Sequence, residues 1–169
     1  TLAIPIIFSN LSRVIMGLTD MAMVSRLGAV ALAATGMGSL LLWVIMSMGI
    51  GLRTAVQTVT SRRLGQKIFH ECGHALHNGI MLAFILAIPA TLLGTYYSVE
   101  IAELFLQDSD VIPQCADYMH VGFYGIGFVL IGFVFQGFYT GVEQTKIHMK
   151  VTIVSNLINV YLNAGLIYG

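Results

Sequence analysis

Five long apolar runs, separated by short polar links, divide the 169 residues of the chain. The runs cover 2–24, 27–52, 78–99, 118–142 and 151–169. Each run provides roughly the 20 residues that an α-helix needs to cross a hydrocarbon layer about 30 Å thick. The pattern therefore predicts an all-α membrane protein with five transmembrane helices. The predicted helices cover about 2–25, 29–60, 76–98, 113–141 and 149–169.

The composition supports a membrane protein and excludes several other classes. Apolar residues make up 57% of the chain and charged residues only 9%, whereas about 25% of residues are charged in typical globular domains. The formal net charge is zero, so the chain lacks the basic surface that nucleic-acid binding requires, and we expect no nucleic-acid partner. The two cysteines, Cys72 and Cys115, are too few for a disulfide framework.

Charges in the polar links are sorted by sign, and the sorting predicts the orientation of the chain. The links at 61–77 and 143–150 contain five of the eight Lys and Arg residues, whereas the link at 100–117 contains five acidic residues and no Lys or Arg. Basic residues are retained on the cytoplasmic side of a membrane. We therefore expect a multi-pass protein of the plasma membrane, with Thr1 near the cytoplasm and the acidic link outside. The acidic link also has the pattern of a short helix.

Two charged side chains interrupt the first apolar run. Arg13 and Asp20 are seven residues apart, so they share one face of a helix. A charge at the centre of a bilayer costs at least about 2.5 kcal/mol. Asp20 therefore either faces the interior of a helix bundle, where it has a functional role, or reaches the outer interface as an ordinary polar residue. The same two alternatives apply to Arg13, whose long side chain can extend to an interface.

The fifth apolar run has one polar face. Thr152, Asn156, Asn159 and Asn163 follow one another at intervals of four, three and four residues, which places their side chains along one side of a helix. Side-chain amides either coordinate a cation or form hydrogen bonds between membrane helices. Because unsatisfied amides in hydrocarbon are costly, we expect this face to meet water, an ion or polar partners.

Glycine is abundant in the second and fourth runs. The pair Gly137 and Gly141 has the G-x-x-x-G spacing that lets two membrane helices approach closely. The same residues would also let a helix bend or slide, as transporters require. Both interpretations remain open from the sequence.

One motif predicts a different chemistry. His70, Glu71 and His74 form an H-E-x-x-H pattern, in which two histidines one helical turn apart hold zinc and the glutamate acts as general base. An intramembrane zinc metalloprotease is therefore an alternative function. The motif lies in a basic link, and Gly73 weakens the helix at its centre. His77 is a poor third ligand, because three positions along one straight helix do not converge on one ion.

Several segments together resemble the multidrug and toxic compound extrusion (MATE) transporters, and the resemblance extends over essentially the whole chain. The matching segments are Pro5, GLTDMAMVSRLG at 17–28, RRLGQK at 62–67, FQGFYTGVEQTK at 135–146 and SNLINVYLNAGLIYG at 155–169. MATE transporters have twelve membrane helices in two six-helix lobes. The resemblance implies that residues 1–169 are a partial N-terminal lobe, and that the remaining helices and the second lobe belong to the same transporter.

The resemblance also implies a function and a site. MATE transporters are not enzymes; they export organic, often cationic, compounds and use an inward flow of protons or sodium ions, with no other cofactor. Asp20, Asn159 and Asn163 correspond to the cation-coupling residues of members that have a site in the first lobe. Asn163 stands where one branch of the family has a carboxylate, which leaves the identity of the coupling ion open.

Two further expectations accompany the resemblance. Gln57, Gln136 and Asn156 are candidates for the substrate cavity, although the resemblance assigns none of them individually. Small organic compounds and the lipid bilayer are the expected partners. Related flippases of lipid-linked oligosaccharides share the twelve-helix architecture and are a second alternative function.

Overall fold

A computed structural model describes residues 3–168 of the chain, with side chains from 7 to 165. The elements are α1 (Ala3–Val24), α2 (Ala29–Gly65), α3 (Phe69–Tyr96), α4 (Ser98–Phe105), α5 (Val111–Gly141) and α6 (Thr145–Tyr168), with a 3-10 turn at Ser25–Leu27 between α1 and α2. The described residues contain no strand. The all-α fold that the hydrophobic pattern predicts is confirmed.

The five predicted membrane helices correspond to α1, α2, α3, α5 and α6, and α4 is the short helix of the acidic link. Within the described part of the chain, α2, α3 and α5 are long and apolar enough to cross a membrane. Helices α1 and α6 contain 22 and 24 residues, which corresponds to about 33 and 36 Å. The outer surface is apolar: Phe128, for example, is 83% exposed. Such a surface suits contact with lipid.

Three helices extend further into the polar links than the sequence predicts. Helix α2 continues to Gly65 instead of ending near 60, α3 begins at Phe69 instead of 76, and α6 begins at Thr145 instead of 149. Hydropathy detects only the part of a helix that lies in hydrocarbon, whereas polar residues with good helix propensity continue the helix into water. Tight turns then separate the helices. Lys67 and Glu143 each have a φ of 61° there.

Helix α5 lies at the centre of the largest packed unit and contacts α2, α3 and α4. Its inner face is fully buried and repeats at intervals of three and four residues, as an amphipathic helix requires. The residues of this face include Met119, Phe123, Ile126, Leu130 and Val134. Helices α1 and α6 pack mainly against each other and form a second unit with fewer contacts to the first. The polar residues described below join α1 to α6 within this second unit.

Glycine sets the distance between α2 and α5. A Cβ atom placed on Gly137 would overlap the backbone carbonyl oxygen of Arg53, and one placed on Gly141 would lie 2.8 Å from Cβ of Thr60. Side chains at these two positions would push the helices apart. The structure therefore supports close packing as the role of the G-x-x-x-G pair.

Candidate cation-coupling site

The predicted cation-coupling residues lie together between α1 and α6. Asn163 donates a hydrogen bond from Nδ2 to Oδ1 of Asp20 at 2.7 Å, and the same nitrogen donates to Oδ1 of Asn159 at 3.0 Å. All three side chains are partly buried. The structure thus brings Asp20 of the first helix into contact with the polar face of the last helix.

Helices α1 and α6 run in the same direction, which follows from two bonds between them. Besides the bond from Asn163 to Asp20, Asn156 donates from Nδ2 to Oγ of Ser12 at 2.7 Å. Moving from Ser12 to Asp20 on α1 therefore corresponds to moving from Asn156 to Asn163 on α6. Because the steps are eight and seven residues, both bonds fall on one face of each helix.

The rest of the polar face of α6 also has polar neighbours. The hydroxyl of Thr152, which is buried, lies 3.4 Å from Nε2 of His148 on the same helix. Each of the four polar residues predicted to share this face therefore has a polar partner. Asn156 is occupied by Ser12, so its amide stabilises the helix pair, as interhelical hydrogen bonds do in other membrane bundles.

Tyr118 of α5 adds a residue that the sequence did not single out. It lies within electrostatic range of Asp20, and its ring packs against Gly38 of α2. The aromatic residues of the fourth apolar run are distributed around the whole helix, so periodicity alone does not show which of them faces the site. Ser12 was missed for a similar reason, because a serine in a membrane helix gives no signal without its partner.

The side chains of the candidate site offer oxygen atoms that could bind a cation or a proton. Asp20 supplies carboxylate oxygens, Asn159 supplies a carbonyl oxygen, and Asn163 holds both in place through one amide group. Oxygen ligands suit hard cations such as sodium, and a carboxylate also accepts a proton. A negative charge that is partly removed from water gains stability when either cation neutralises it.

The three candidates for a substrate cavity are placed on three different helices. Gln57 is partly buried on α2, where its backbone oxygen lies beside Gly141 of α5. Gln136 is only 6% exposed on α5. Asn156 is bonded to Ser12, as described above. Among the described residues, no hydrogen bond joins the three candidates to one another.

The H-E-x-x-H motif lies in the first two turns of α3. The rings of His70 and His74 have centroids 6.3 Å apart, and Nε2 of His70 lies 3.5 Å from Oε1 of Glu71. Both histidines are exposed. Within the part of the chain that the structure describes, no group of three or more His, Cys, Asp or Glu side chains is arranged to hold a metal ion. A zinc site would require a third ligand from elsewhere.

The fold and this site define a multi-pass helical membrane protein with a polar, charged site between its helices. The MatE family model matches residues 5–164, and the chain belongs to the MatE family. This confirms the resemblance that the sequence segments indicate.

Curated relatives of the same family align along almost the whole chain. The chain is 27% identical over 168 residues to a protein of Mannheimia succiniciproducens named "Probable multidrug resistance protein NorM". It is 24% identical over 170 residues to the multidrug resistance protein NorM of Vibrio cholerae. Each alignment covers 99% of this chain and 36% of the relative. The chain thus spans about a third of the length of these relatives.

Solved structures show the same fold. A MOP superfamily transporter from Pyrococcus furiosus superimposes with a TM-score of 0.91 at 20% sequence identity, over 96% of this chain and 36% of that one. An outward-facing multidrug resistance MATE family transporter gives the same TM-score, identity and coverage. The arrangement of helices α1 to α6 is therefore that of the N-terminal lobe of MATE transporters.

Proposed function

We propose that this chain is most of the N-terminal lobe of a secondary active transporter that exports organic, often cationic, compounds in exchange for protons or sodium ions. In this proposal Asp20, Asn159 and Asn163 form the cation-coupling site. Multidrug resistance is the role that the names of the relatives give to those proteins. The proposal extends that role to the full-length protein that contains this chain.

The observation that carries the proposal is the 2.7 Å hydrogen bond between Asn163 and Asp20. It joins α1 to α6 through a carboxylate, at a place where a charge is costly without compensation. Such intramembrane carboxylates typically belong to proton relays or ion pathways. A purely structural role would require only neutral polar groups, as in the neighbouring pair of Ser12 and Asn156.

The mechanism follows from the electrostatics of the site. Binding of a proton or a sodium ion neutralises Asp20 and changes its interaction with Asn163, and hence the packing of α1 against α6. If the inward-facing and outward-facing states hold this pair differently, the cation favours one state over the other. The cation and the exported compound are then coupled even though no residue binds both of them.

The test is transport by the full-length protein reconstituted in vesicles, with a fluorescent organic cation as substrate and an imposed proton or sodium gradient. We expect Asp20→Asn to abolish gradient-driven transport, because the amide has no negative charge for a proton or a sodium ion to neutralise. Glu103→Gln is the matched control, since it makes the same chemical change on the exposed face of α4. That control should transport at the unmodified rate, and the gradient that drives transport identifies the coupling ion.

Two results would contradict the proposal. Undiminished gradient-driven export by the Asp20→Asn protein would show that Asp20 has no role in coupling. Absence of organic cation transport under either gradient, together with gradient-independent movement of a lipid-linked oligosaccharide across the same vesicles, would identify the protein as a flippase.

A further inference from the structure

An open groove with a volume of about 530 Å³ lies where α2, α3, α4 and α5 meet. Ile45 of α2, Leu93 of α3, Leu104 of α4 and Phe123 of α5 are among the residues that line it. None of the described lining residues belongs to α1 or α6, so the groove is separate from the candidate coupling site. Its volume lies within the range of about 300–1,000 Å³ that is typical of small-molecule sites.

Phe123 forms the floor of this groove and is held in place by α3. Its side chain is fully buried, and its ring packs against Gly94, where an added Cβ atom would overlap the ring. Three residues before Gly94, the hydroxyl of Thr91 donates a hydrogen bond to the backbone oxygen of Phe123 at 3.0 Å. Because both contacts join α3 to α5, the groove is part of the packed structure and not a gap between loosely joined helices.

A carboxylate and an aromatic ring lie at the edge of the groove. Glu100 is exposed, and it is the single charged residue among the described residues that line the groove. Tyr97 also lines the groove, and its ring meets that of Tyr96 edge to face, with centroids 4.7 Å apart. Backbone hydrogen bonds from Tyr97 to Leu93 and from Ile101 to Tyr97 join α3 directly to α4. The helical backbone therefore sets the positions of the carboxylate and the ring relative to the floor.

The charge at the edge of the groove favours one kind of apolar ligand over others. A carboxylate attracts a cation, and so does the face of a tyrosine ring. The link at 100–117 contains five acidic residues and no Lys or Arg, so it offers no basic side chain to the phosphate of a phospholipid headgroup. A neutral acyl chain would fill the apolar part but gain nothing from the carboxylate of Glu100. The groove is therefore complementary to a ligand with an apolar body and one positive charge.

We propose that this groove binds a hydrophobic organic cation, with the apolar body of the ligand over Phe123 and its positive group beside Glu100 and Tyr97. In the orientation that the charge-sorted links predict, the groove lies at the external end of the lobe. Amphipathic molecules concentrate where hydrocarbon meets water, because only their apolar part gains from leaving water. The ligand therefore reaches the groove from the outer leaflet. This binding does not rest on the proposed transport function.

Photolabelling of the full-length protein in phosphatidylcholine nanodiscs tests the proposal. One probe is a benzophenone with a trimethylammonium group, and the other is its neutral tert-butyl isostere. Mass spectrometry of peptides measures the adducts within residues 90–104 and gives the half-saturating concentration of each probe there. We expect Glu100→Gln to raise this concentration about fivefold for the cation, the upper range for an exposed ion pair, and to leave it unchanged for the isostere. Each probe is compared between two proteins, so its partition into lipid cancels.

Two further variants separate the role of charge from that of shape. Glu103→Gln is the matched control, since it removes an exposed carboxylate of the same helix that does not line the groove. Its half-saturating concentration for the cation should change by less than about twofold, because solvent and salt screen exposed charges. Leu93→Trp places a larger side chain in the groove, and Leu93 is 59% exposed, so the packed core is unaffected. This variant should lose labelling of the groove by both probes.

Three results would overturn the proposal. Absence of adducts within residues 90–104 would show that the groove takes neither probe. Labelling by both probes without any effect of Glu100→Gln would show that the groove holds acyl chains. Loss of cation labelling when phosphatidylethanolamine replaces phosphatidylcholine would assign the groove to the ammonium of a lipid headgroup. Labelling requires no gradient, so its outcome is independent of the role of Asp20, which the vesicle assay decides.

Discussion

At the scale of single residues, Asn163 organises the candidate coupling site. One amide nitrogen donates to two oxygens, those of Asp20 and Asn159. Because Asn163 is neutral, it stabilises the carboxylate of Asp20 without adding a second negative charge. Among the described residues of this network, Asp20 is then the single carboxylate whose charge a cation has to neutralise.

Replacing Asn163 by leucine should destabilise the protein. The change removes the donor to Asp20 and to Asn159, and a lost hydrogen bond to a charged group costs about 1.5–3 kcal/mol. We expect a lower Tm, corresponding to a loss of about 2 kcal/mol in unfolding free energy. Thermal unfolding of the full-length protein, followed by tryptophan fluorescence, measures this change.

The control for this prediction is Asn78→Leu on α3. Asn78 is exposed and makes no side-chain hydrogen bond to a described residue, so its replacement should alter the unfolding free energy by less than about 0.5 kcal/mol. An equal loss of unfolding free energy in both variants would show that the hydrogen bonds of Asn163 do not contribute specifically to stability.

At the scale of helices, the sequence predicts which helix faces are polar or apolar, but not which faces pack against each other. The polar face of α6 is visible in its spacing, and hydropathy locates the apolar runs. The contact of Asn156 with Ser12 depends on which helices are neighbours, and 144 residues separate this pair. The proximity of Tyr118 to Asp20 is equally non-local. Hydropathy also does not locate the C-terminal end of α2 or the N-terminal ends of α3 and α6, because these helices continue into polar sequence.

The crossing of α2 and α5 provides a prediction at this scale. Gly137→Ala would place a methyl group against the Arg53 carbonyl oxygen, and backbone atoms cannot rotate away as a flexible side chain can. Forcing the helices apart should cost about 1–3 kcal/mol of unfolding free energy. Thermal unfolding of the full-length protein measures the loss.

Gly132→Ala on the same helix is the matched control. A Cβ placed on Gly132 meets no atom within 4 Å, and alanine is the better helix former by up to about 1 kcal/mol. The control should therefore be as stable as the native protein or slightly more stable. Equal destabilisation by both changes would mean that loss of glycine flexibility, and not the close contact with α2, is what matters.

At the scale of the whole molecule, the two packed units differ in composition as well as in contacts. The unit around α5 has a continuous apolar core, whereas hydrogen bonds from Asn163 to Asp20 and from Asn156 to Ser12 join α1 to α6. Polar contacts of this kind are more readily exchanged than interdigitated apolar side chains. We therefore expect a bound ion to influence helix packing most at the contact between α1 and α6.

The orientation of the molecule in the membrane gives the last prediction. The charge-sorted links predict that the turn at Lys67 lies in the cytoplasm and the loop at Asp108 outside. Both residues are exposed. Cysteine at either position, in a protein whose buried Cys72 and Cys115 are replaced by alanine, reports the orientation through a membrane-impermeant maleimide. Intact cells should be labelled by Asp108→Cys alone, and Lys67→Cys should react only after the membrane is opened. The reverse pattern would show that the lobe has the opposite orientation in the membrane.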